Sequence, residues 1–487
     1  MIWPGAGCAS SAQNSTFAAA AIAFGRGRRF RRFKNKYSDK EADCIMARSQ
    51  WGSRLGFILA AAGSAIGLGA IWKFPYVAAT NGGGAFLFIY LGICLTLGLA
   101  LMLAEMALGR ASKAGAVGAF RQLAGGGWPI IGYMSVLVCF LILSFYSVVG
   151  GWTIAYIVKA LGGGIMTSDA KTLGAIFNGF ISDPLEPIAY HAGFALLTVW
   201  VVAGGVQKGI ENLSKFLMPA LFVLMLVLIV RGLTLPGAWD GVKYFVAPDF
   251  SKVSSAMLVD ALGLAFFSLS LGLGIMITYG SYVSKESNLL GSALWVILLT
   301  VATCFLAGLM VLPAVFAFGF DPSAGPGLTF ITMPAVFAHL PLGQLFAVMF
   351  FCLLLLAALT SSVSLLEVVT SFAMDEFGLK RGQAAWVMTL GIFLLGIPAS
   401  LSLGVWSEYQ LFGMGFFDLL DYLTSKLLMP LGELLLALFV GWKAWPVVRR
   451  ELAGDGAGRR MRLMRGFCMA MAPALIGWIM VASLRAA

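Results

Sequence analysis

Residues 63–75 (GSAIGLGAIWKFP) interrupt an apolar run that begins near Trp51 and is long enough to enter a bilayer. Each of the three glycines weakens a helix by about 1 kcal/mol relative to alanine, and the final proline lacks a backbone donor. The same Gly-Leu-Gly recurs in a second apolar run, at residues 267–274 (FSLSLGLG). Because an unsatisfied backbone group is costly in lipid, each break must be satisfied inside the protein. Two matched breaks predict a transporter with a binding site near the middle of the membrane.

Composition places the chain in a membrane. Of its 487 residues, 60% are hydrophobic and 11% are charged, against about 25% charged in soluble domains. The formal net charge of +11 could suggest a nucleic-acid partner, but the basic residues lie in short loops between apolar runs. That pattern is typical of the positive charge that membrane proteins keep on the cytoplasmic side. We therefore expect the lipid bilayer, and no nucleic acid, as a partner.

The sequence shows little sign of a metal-binding site or an enzyme active site. The seven cysteines show no paired spacing, which favours small buried hydrophobes over disulfides or metal ligands. His191 and His339 have no cysteine or second histidine nearby. An intramembrane enzyme would need clustered carboxylates, a Ser/His pair or metal ligands, and the sequence shows none of these. We do not expect an enzyme.

About eleven apolar segments are long enough to span a bilayer. Residues 1–45 precede them as a basic tail, and we expect either an over-extended gene start, with Met46 as the true start, or a solvated cytoplasmic tail. The predicted spans are residues 52–79, 84–109, 129–160, 188–204, 212–233, 256–281, 289–319, 341–373, 384–404, 408–441 and 464–484.

The loops predict the orientation of these spans. Lysines and arginines concentrate in the loops that follow spans two, four, six, eight and ten, from Arg110 to Arg465. This bias predicts a cytoplasmic N-terminus and an external C-terminus. The external loop after span seven contains an amphipathic segment, residues 328–340, which predicts a short helix and a lid. The opposite loops hold few basic residues, mainly Lys171, Arg231, Lys243 and Lys252.

Several motifs, in order, resemble the neurotransmitter:sodium symporters, and the eleven-span count is similar to the bacterial branch of that family. The resemblance covers the chain from about residue 48 to its end. Its motifs are residues 51–59 (WGSRLGFIL), 63–75, 81–86 (NGGGAF), 268–274, 325–337 (GPGLTFITMPAVF) and 359–362 (LTSS).

The resemblance implies an all-α integral membrane fold of about eleven transmembrane helices in a bacterial inner (plasma) membrane. Two inverted five-helix repeats, with broken helices 1 and 6, would occupy residues 46–240 and 241–445. Residues 446–487 would form a basic cytoplasmic loop and the eleventh helix. The implied function is sodium-coupled symport by alternating access.

One sodium site is expected to be intact. Thr360 and Ser361 are consecutive hydroxyl residues in an otherwise apolar span, and on their own they could equally bond to carbonyls of their own helix. The resemblance implies that both are side-chain ligands of sodium. The carbonyls of Gly63, Ile66 and Ala357 would complete this site.

The second sodium site of the family is expected to be weakened. The two side-chain amides normally present are replaced here by Ala70 and Thr300. Ala65, Ser268 and Thr300 would remain as protein ligands, so we expect coupling mainly to one sodium ion, although a water could substitute for a lost ligand. The position of the family's acid or chloride-associated serine is Cys304, and chloride dependence is not expected.

The substrate is expected to be a neutral amino acid. The amides of Leu68 and Gly69, at the start of a half-helix, could hold a carboxylate, and carbonyls of the second break could accept from an ammonium group. The resemblance implies that the Tyr146 hydroxyl contacts the same carboxylate. The pocket lacks charged residues, which predicts an apolar or aromatic substrate side chain. Its remaining predicted members are Ser64, Ala65, Ile142, Phe267, Ser268, Ser270, Leu273 and Leu365.

Two gates follow from the resemblance. Lys73 and Asp421 match an extracellular ion pair in which the family usually has arginine, so the closed state would be held more loosely. The inner gate would consist of Arg48 and Asp375, with Trp51 and Tyr282 beside them.

Three further charges lie within apolar spans. Glu105 resembles a structural acid of the family, whereas Lys426 and Glu433 lie about 10 Å apart along a helix, too far for a direct pair. Lys426 could carry a proton, or its ammonium could reach the membrane surface or water. Two alternatives to sodium symport therefore stay open: a proton-coupled amino-acid permease of the same fold and a non-transporting amino-acid sensor.

Overall fold

The computed structural model describes residues 49–320, 327–452 and 458–486. Within these ranges the regular structure is helical, and nine helices are long and apolar enough to cross a membrane. A tenth span is the bent pair Arg54–Ala65 and Gly69–Thr80. We count the shorter helices Ser255–Ser268 and Ile275–Ser281 together as an eleventh. The predicted basic tail, residues 1–45, lies outside the described residues.

The eleven spans follow one another as predicted, and we number them in chain order. Spans 1 and 6 are the two broken ones. The nine continuous spans are Gly84–Ser112, Pro129–Leu161, Glu186–Ala203, Val206–Leu233, Leu289–Ala317, Gly343–Phe377, Arg381–Leu401, Phe416–Leu452 and Met461–Val481.

The predicted bounds of two spans were wrong. Span 5 begins at Val206 rather than at residue 212, because a polar π-helical segment, Val206–Glu211, precedes its apolar part. Span 10 covers Phe416–Leu452 rather than residues 408–441. The apolar residues that suggested an earlier start form a turn with a bridge between Leu411 and Met414.

Consecutive spans alternate in direction, which gives the bundle two faces. We call the side on which span 1 begins the Arg54 face and the side on which it ends the Thr80 face. Short helices cover the Thr80 face, among them Ala170–Ser182 and Ala238–Val246.

The predicted short helix after span 7 is confirmed at the Thr80 face, as Leu328–Thr332 followed by Met333–Ala338. Its Phe330 ring lies 6.1 Å from that of Trp72 in span 1, 5.8 Å from Trp152 and 5.0 Å from Tyr156, both in span 3. These aromatic contacts hold the short helix against spans 1 and 3. Its function as a lid stays a prediction.

The break in span 1 follows Ala65, and the two half-helices meet at 53°. Ile66 leaves the helical region, with φ −91° and ψ 73°. Span 8 approaches the backbone so closely at Gly67 that only glycine fits, because a Cβ atom there would lie 2.2 Å from the Ser361 Oγ atom. Span 8 therefore packs directly against the opened backbone.

The break in span 6 separates Ser268 from Ile275. Ser270, Gly272 and Gly274 all have positive φ, at 53°, 72° and 69°, a region that favours glycine. A continuous helix cannot pass through three such residues.

Side chains of spans 2 and 3 satisfy the opened backbone of span 6. The Gly272 amide donates to Glu105 Oε1 at 2.8 Å, and the Gly272 carbonyl accepts from Ser135 Oγ at 3.1 Å. The carbonyl of Leu273 accepts from Cys139 Sγ at 3.1 Å. Glu105 thus makes a structural contact at the second break.

Spans 2 and 6 approach each other closely between this break and the Arg54 face. A Cβ atom at Gly109 would lie 1.9 Å from the carbonyl oxygen of Ile277. A Cβ atom at Gly280 would lie 2.6 Å from the carbonyl oxygen of Met106. Glycine on each helix therefore permits backbone contact between the two spans.

We expect Gly109→Ala to lower the melting temperature of the purified protein, because the added methyl group forces the two spans apart at a cost of about 1–3 kcal/mol. Gly92→Ala is the matched control, since Gly92 lies on the same helix with nothing within 4 Å of its Cβ position. Thermal unfolding in detergent compares the two. Equal melting temperatures would show that the close approach does not matter for stability.

Candidate functional site

A cavity lies between the two breaks. All eleven residues predicted to contact the substrate line it, which the sequence could not establish from spacing alone. Three further residues line the cavity that the sequence did not suggest: Gly67, Ile275 and Ser364. Ser364 could have been found, because it lies three positions after Ser361 on the same helical face. The eleven predicted residues are Ser64, Ala65, Leu68, Gly69, Ile142, Tyr146, Phe267, Ser268, Ser270, Leu273 and Leu365.

Backbone amides face one end of this cavity. The Leu68 amide donates to the Tyr146 hydroxyl at 3.4 Å, so the tyrosine lies at the start of the second half of span 1. Gly69 is needed beside it, since a Cβ atom would lie 2.6 Å from the Phe267 ring. The start of a half-helix, with a hydroxyl beside it, can hold an anionic group.

Serine hydroxyls form the polar wall of the cavity. Ser364 Oγ donates to Ser64 Oγ at 2.7 Å. The Ser64 carbonyl accepts from Ser361 Oγ at 2.9 Å and from Ser270 Oγ at 3.0 Å. The first break is therefore held by neutral donors from spans 6 and 8.

The candidate ligands of the first sodium site lie together behind this wall. Ser361 Oγ is 3.5 Å from the Gly63 carbonyl, and Thr360 Oγ1 donates to the Ala357 carbonyl at 3.0 Å. A Cβ atom at Gly63 would lie 3.2 Å from Thr360 Cβ, so spans 1 and 8 touch here. Ile66 caps the first half of span 1 beside them. Spans 1 and 8 thus bring neutral oxygens of Gly63, Ala357, Thr360 and Ser361 into one region, and such oxygens suit a hard cation.

The second sodium site has fewer available oxygens. Thr300 Oγ1 donates to the Val296 carbonyl of its own helix at 2.9 Å, and Ala70 has no side-chain oxygen. Ser268 Oγ lies 2.6 Å from the Tyr90 hydroxyl, which is also 3.2 Å from Cys304 Sγ. Neither Thr300 nor Thr360 is among the residues that line the cavity.

The predicted outer pair is not formed in this conformation. Among the described residues, no carboxylate lies within 4.0 Å of Lys73 Nζ, which lies 5.3 Å from the centre of the Phe267 ring. Asp421 accepts instead from Ser425 Oγ at 2.8 Å. Lys73 therefore contacts an aromatic ring of the cavity rather than the acid.

Trp51 closes the Arg54 face. Its amide donates to the Tyr282 carbonyl at 3.2 Å, and its indole nitrogen donates to the Tyr279 carbonyl at 3.0 Å. Asp375 accepts from the Gly115 amide at 3.0 Å. Its predicted partner Arg48 lies outside the described residues.

A buried ion pair, which the sequence did not suggest, lies beside Trp51. Arg381 pairs with Glu367 through both carboxylate oxygens, and its Nε atom donates to the Val202 carbonyl at 2.8 Å. The Tyr282 hydroxyl donates to Glu367 Oε1 at 2.6 Å. The signal available in the sequence was an acid within the apolar span 8. This network ties spans 4, 6, 8 and 9 together at the Arg54 face.

Comparison with known proteins decides the family. A model described as "Sodium:neurotransmitter symporter family" matches residues 48–168 and 187–485. The chain belongs to this family. The resemblance seen in the sequence is thereby confirmed, and so is the expectation that the protein is a transporter and not an enzyme.

Relatives of this symporter extend from bacteria to man. This chain is 47% identical over 395 residues to the uncharacterized sodium-dependent transporter YhdH of Bacillus subtilis, and the match covers 81% of this chain and 88% of that protein. It is 27% identical over 484 residues to the human sodium- and chloride-dependent GABA transporter 2, covering 84% of this chain and 78% of the other.

A solved relative supports the fold of the symporter. The crystal structure of MhsT in complex with L-phenylalanine is 44% identical, with a TM-score of 0.83. The match covers 90% of this chain and all of the other. The protein is thus a sodium-coupled membrane transporter with the all-helical fold expected from the sequence.

We expect Arg381→Met to destabilise the symporter by about 3–5 kcal/mol, because it leaves Glu367 buried without its cation. The double variant Glu367→Gln/Arg381→Met should recover most of that loss. Arg121→Met is the control, since its pair with Glu376 is more exposed, with 47% of the Arg121 side chain accessible, and such pairs contribute about 1 kcal/mol or less. Thermal unfolding of the four proteins measures the difference. Equal effects of Arg381→Met and Arg121→Met would contradict the assignment.

Proposed function

We propose that this symporter uses the sodium gradient to drive uptake of a neutral amino acid with an apolar or aromatic side chain, by alternating access. The observation that carries the proposal is the cavity between the two breaks. It has backbone amides at one end, hydroxyls along one wall and no charged residue among the described residues that line it. Such a lining matches a zwitterion whose side chain is uncharged.

The two ends of the cavity suit the two ends of such a substrate. The carboxylate binds to the amides of Leu68 and Gly69 and to the Tyr146 hydroxyl, and the ammonium group donates to carbonyls at the break of span 6. The side chain then packs on the apolar lining, with Ile142 and Leu273 among its contacts. The L-phenylalanine bound to MhsT, a relative of 44% identity, supports this substrate class.

In this proposal, transport of the substrate is coupled mainly to one sodium ion. Thr360, Ser361 and the carbonyls of Gly63, Ile66 and Ala357 supply the first site. The second site keeps Ala65, Ser268 and Thr300, but Ala70 has no side-chain oxygen. A site short of two neutral oxygens binds sodium weakly, unless water replaces them.

The Arg54 face is assigned to the cytoplasm of a bacterial cell, since the loops there carry most of the lysines and arginines. Trp51 and the pair Glu367–Arg381 then form the inner closure, together with Asp375. Lys73 and Asp421 are assigned to the outer closure. In the present conformation the inner contacts are made and the outer ion pair is not.

We expect uptake into proteoliposomes to require sodium and to favour neutral amino acids with apolar or aromatic side chains. The measurement compares a panel of labelled amino acids in sodium and in choline buffer, and then chloride with gluconate. Uptake unaffected by gluconate and one sodium per substrate are the expected results. Equal uptake in choline would contradict sodium coupling. Binding without accumulation would indicate a sensor, and two tightly bound sodium ions would overturn the one-ion assignment.

We expect Thr360→Val to raise the sodium concentration for half-maximal transport about tenfold, equivalent to about 1.4 kcal/mol, because it removes one ligand oxygen without changing shape. Substrate affinity at saturating sodium should change much less. Thr153→Val is the matched control, since this buried threonine bonds only within span 3, to the Gly150 carbonyl at 2.6 Å. An unchanged sodium requirement in Thr360→Val would remove this residue from the site.

A further inference from the structure

Glu433 is a buried acid that has no role in the proposed binding of substrate and sodium. It lies in span 10 with 1% of its surface exposed, and neither carboxylate oxygen has a hydrogen-bond partner among the described residues. No basic group of the described chain lies within 4.0 Å of it. An ionised carboxylate in such surroundings is costly, so a protonated form is favoured.

Glu433 shares one neighbour with a second buried acid. Glu105 is fully buried, and its Oε1 atom accepts from the Gly272 amide at 2.8 Å, while Oε2 has no partner. On the other side, a Cβ atom at Gly272 would lie 2.4 Å from Glu433 Cγ and 3.3 Å from Glu433 Oε1. The two carboxyl groups therefore flank the same residue of the opened backbone. Two such acids without a cation are more stable when they hold one proton between them.

A second cavity adjoins Glu433. This lateral cavity lies between spans 1, 6, 10 and 11. Asp260 and Lys426 line it and are exposed, while Glu433 lines it and is buried. The lateral cavity thus extends from Glu433 to exposed, charged side chains of spans 6 and 10.

Few charged or titratable side chains of the described residues lie near Glu433. Lys73 on span 1, Asp260 on span 6 and Lys426 on span 10 share the lateral cavity with it, and Ile476 and Ile479 represent span 11 there. Glu105 on span 2 faces it across Gly272, and span 3 adds the thiol of Cys139, which is bonded to the Leu273 carbonyl.

We propose that Glu433 is a proton-binding site of this transporter, exchanging with water through the lateral cavity, and that its protonation stabilises the broken conformation of span 6. A proton passes from cavity water to a carboxylate oxygen, which becomes a neutral acid, and returns by the same route. The neutral acid gains an O–H donor for the acceptors around Gly272. Loss of the proton places two negative charges around that glycine and weakens the break. This inference rests on the proposed transport function.

The test is the pH dependence of sodium-driven uptake in proteoliposomes with a fixed internal pH. External pH is varied from about 5.5 to 8.5, above the ordinary pKa of a glutamic acid side chain. Wild-type uptake is expected to change at least fivefold (~1 kcal/mol) over this range. Glu433→Gln, which imitates the protonated acid, should show a flat profile while keeping sodium-driven uptake. Asp260→Asn, which removes a carboxylate from the same cavity, should keep the wild-type profile.

Two results would overturn the proposal: a flat wild-type profile, or a wild-type profile retained in Glu433→Gln. Should Glu433→Gln fail to fold, Glu433→Asp replaces it, and a shifted midpoint of the profile is then required. A pH indicator in weakly buffered detergent solution also measures protons taken up or released when sodium and substrate are added, and an equal signal in wild type and Glu433→Gln would refute the site. Failure of the transport function itself would differ, since all three proteins would then lack sodium-dependent uptake.

Discussion

Lipid cannot hydrogen-bond to a peptide group, and the rest of this structure depends on that constraint. Two spans open in mid-bundle, and each opened segment finds its partners in neighbouring helices. At span 1 the donors are Ser270 and Ser361. At span 6, Glu105, Ser135 and Cys139 serve the backbone of Gly272 and Leu273. The cavity exists because these side chains, rather than a following helical turn, satisfy the carbonyls and amides of the breaks.

The features that could be predicted from the sequence are those encoded over short distances. Glycines within apolar runs indicated both breaks, and Gly67 and Gly272 are indeed places where another helix leaves no room for a side chain. Apolar length indicated the spans. The residues around the cavity were found through family motifs, since spacing alone could not show that Ile142 and Leu365, in spans 3 and 8, face the same space.

What could not be predicted depends on contacts between distant segments. Glu367 and Arg381 belong to different spans, and only the packing of spans 8 and 9 makes them a buried pair. Lys73 was expected beside Asp421, yet the Phe267 ring lies next to its ammonium group. The start of span 10 was misplaced because the turn before it is as apolar as a helix, and its bridge between Leu411 and Met414 leaves no simple mark in composition.

The side chains that hydrogen-bond to the two breaks differ in charge, and we expect the two breaks to bind different ions for this reason. Neutral hydroxyls hold span 1, so its freed carbonyls keep their negative potential and can attract a cation without a fixed countercharge. Carboxyl groups flank span 6, and an acid there must be paired or protonated. In the proposed scheme a sodium ion and a proton are therefore bound by different helices around one substrate cavity. Because both ions act on segments that contact the same substrate, each can influence the other without direct contact.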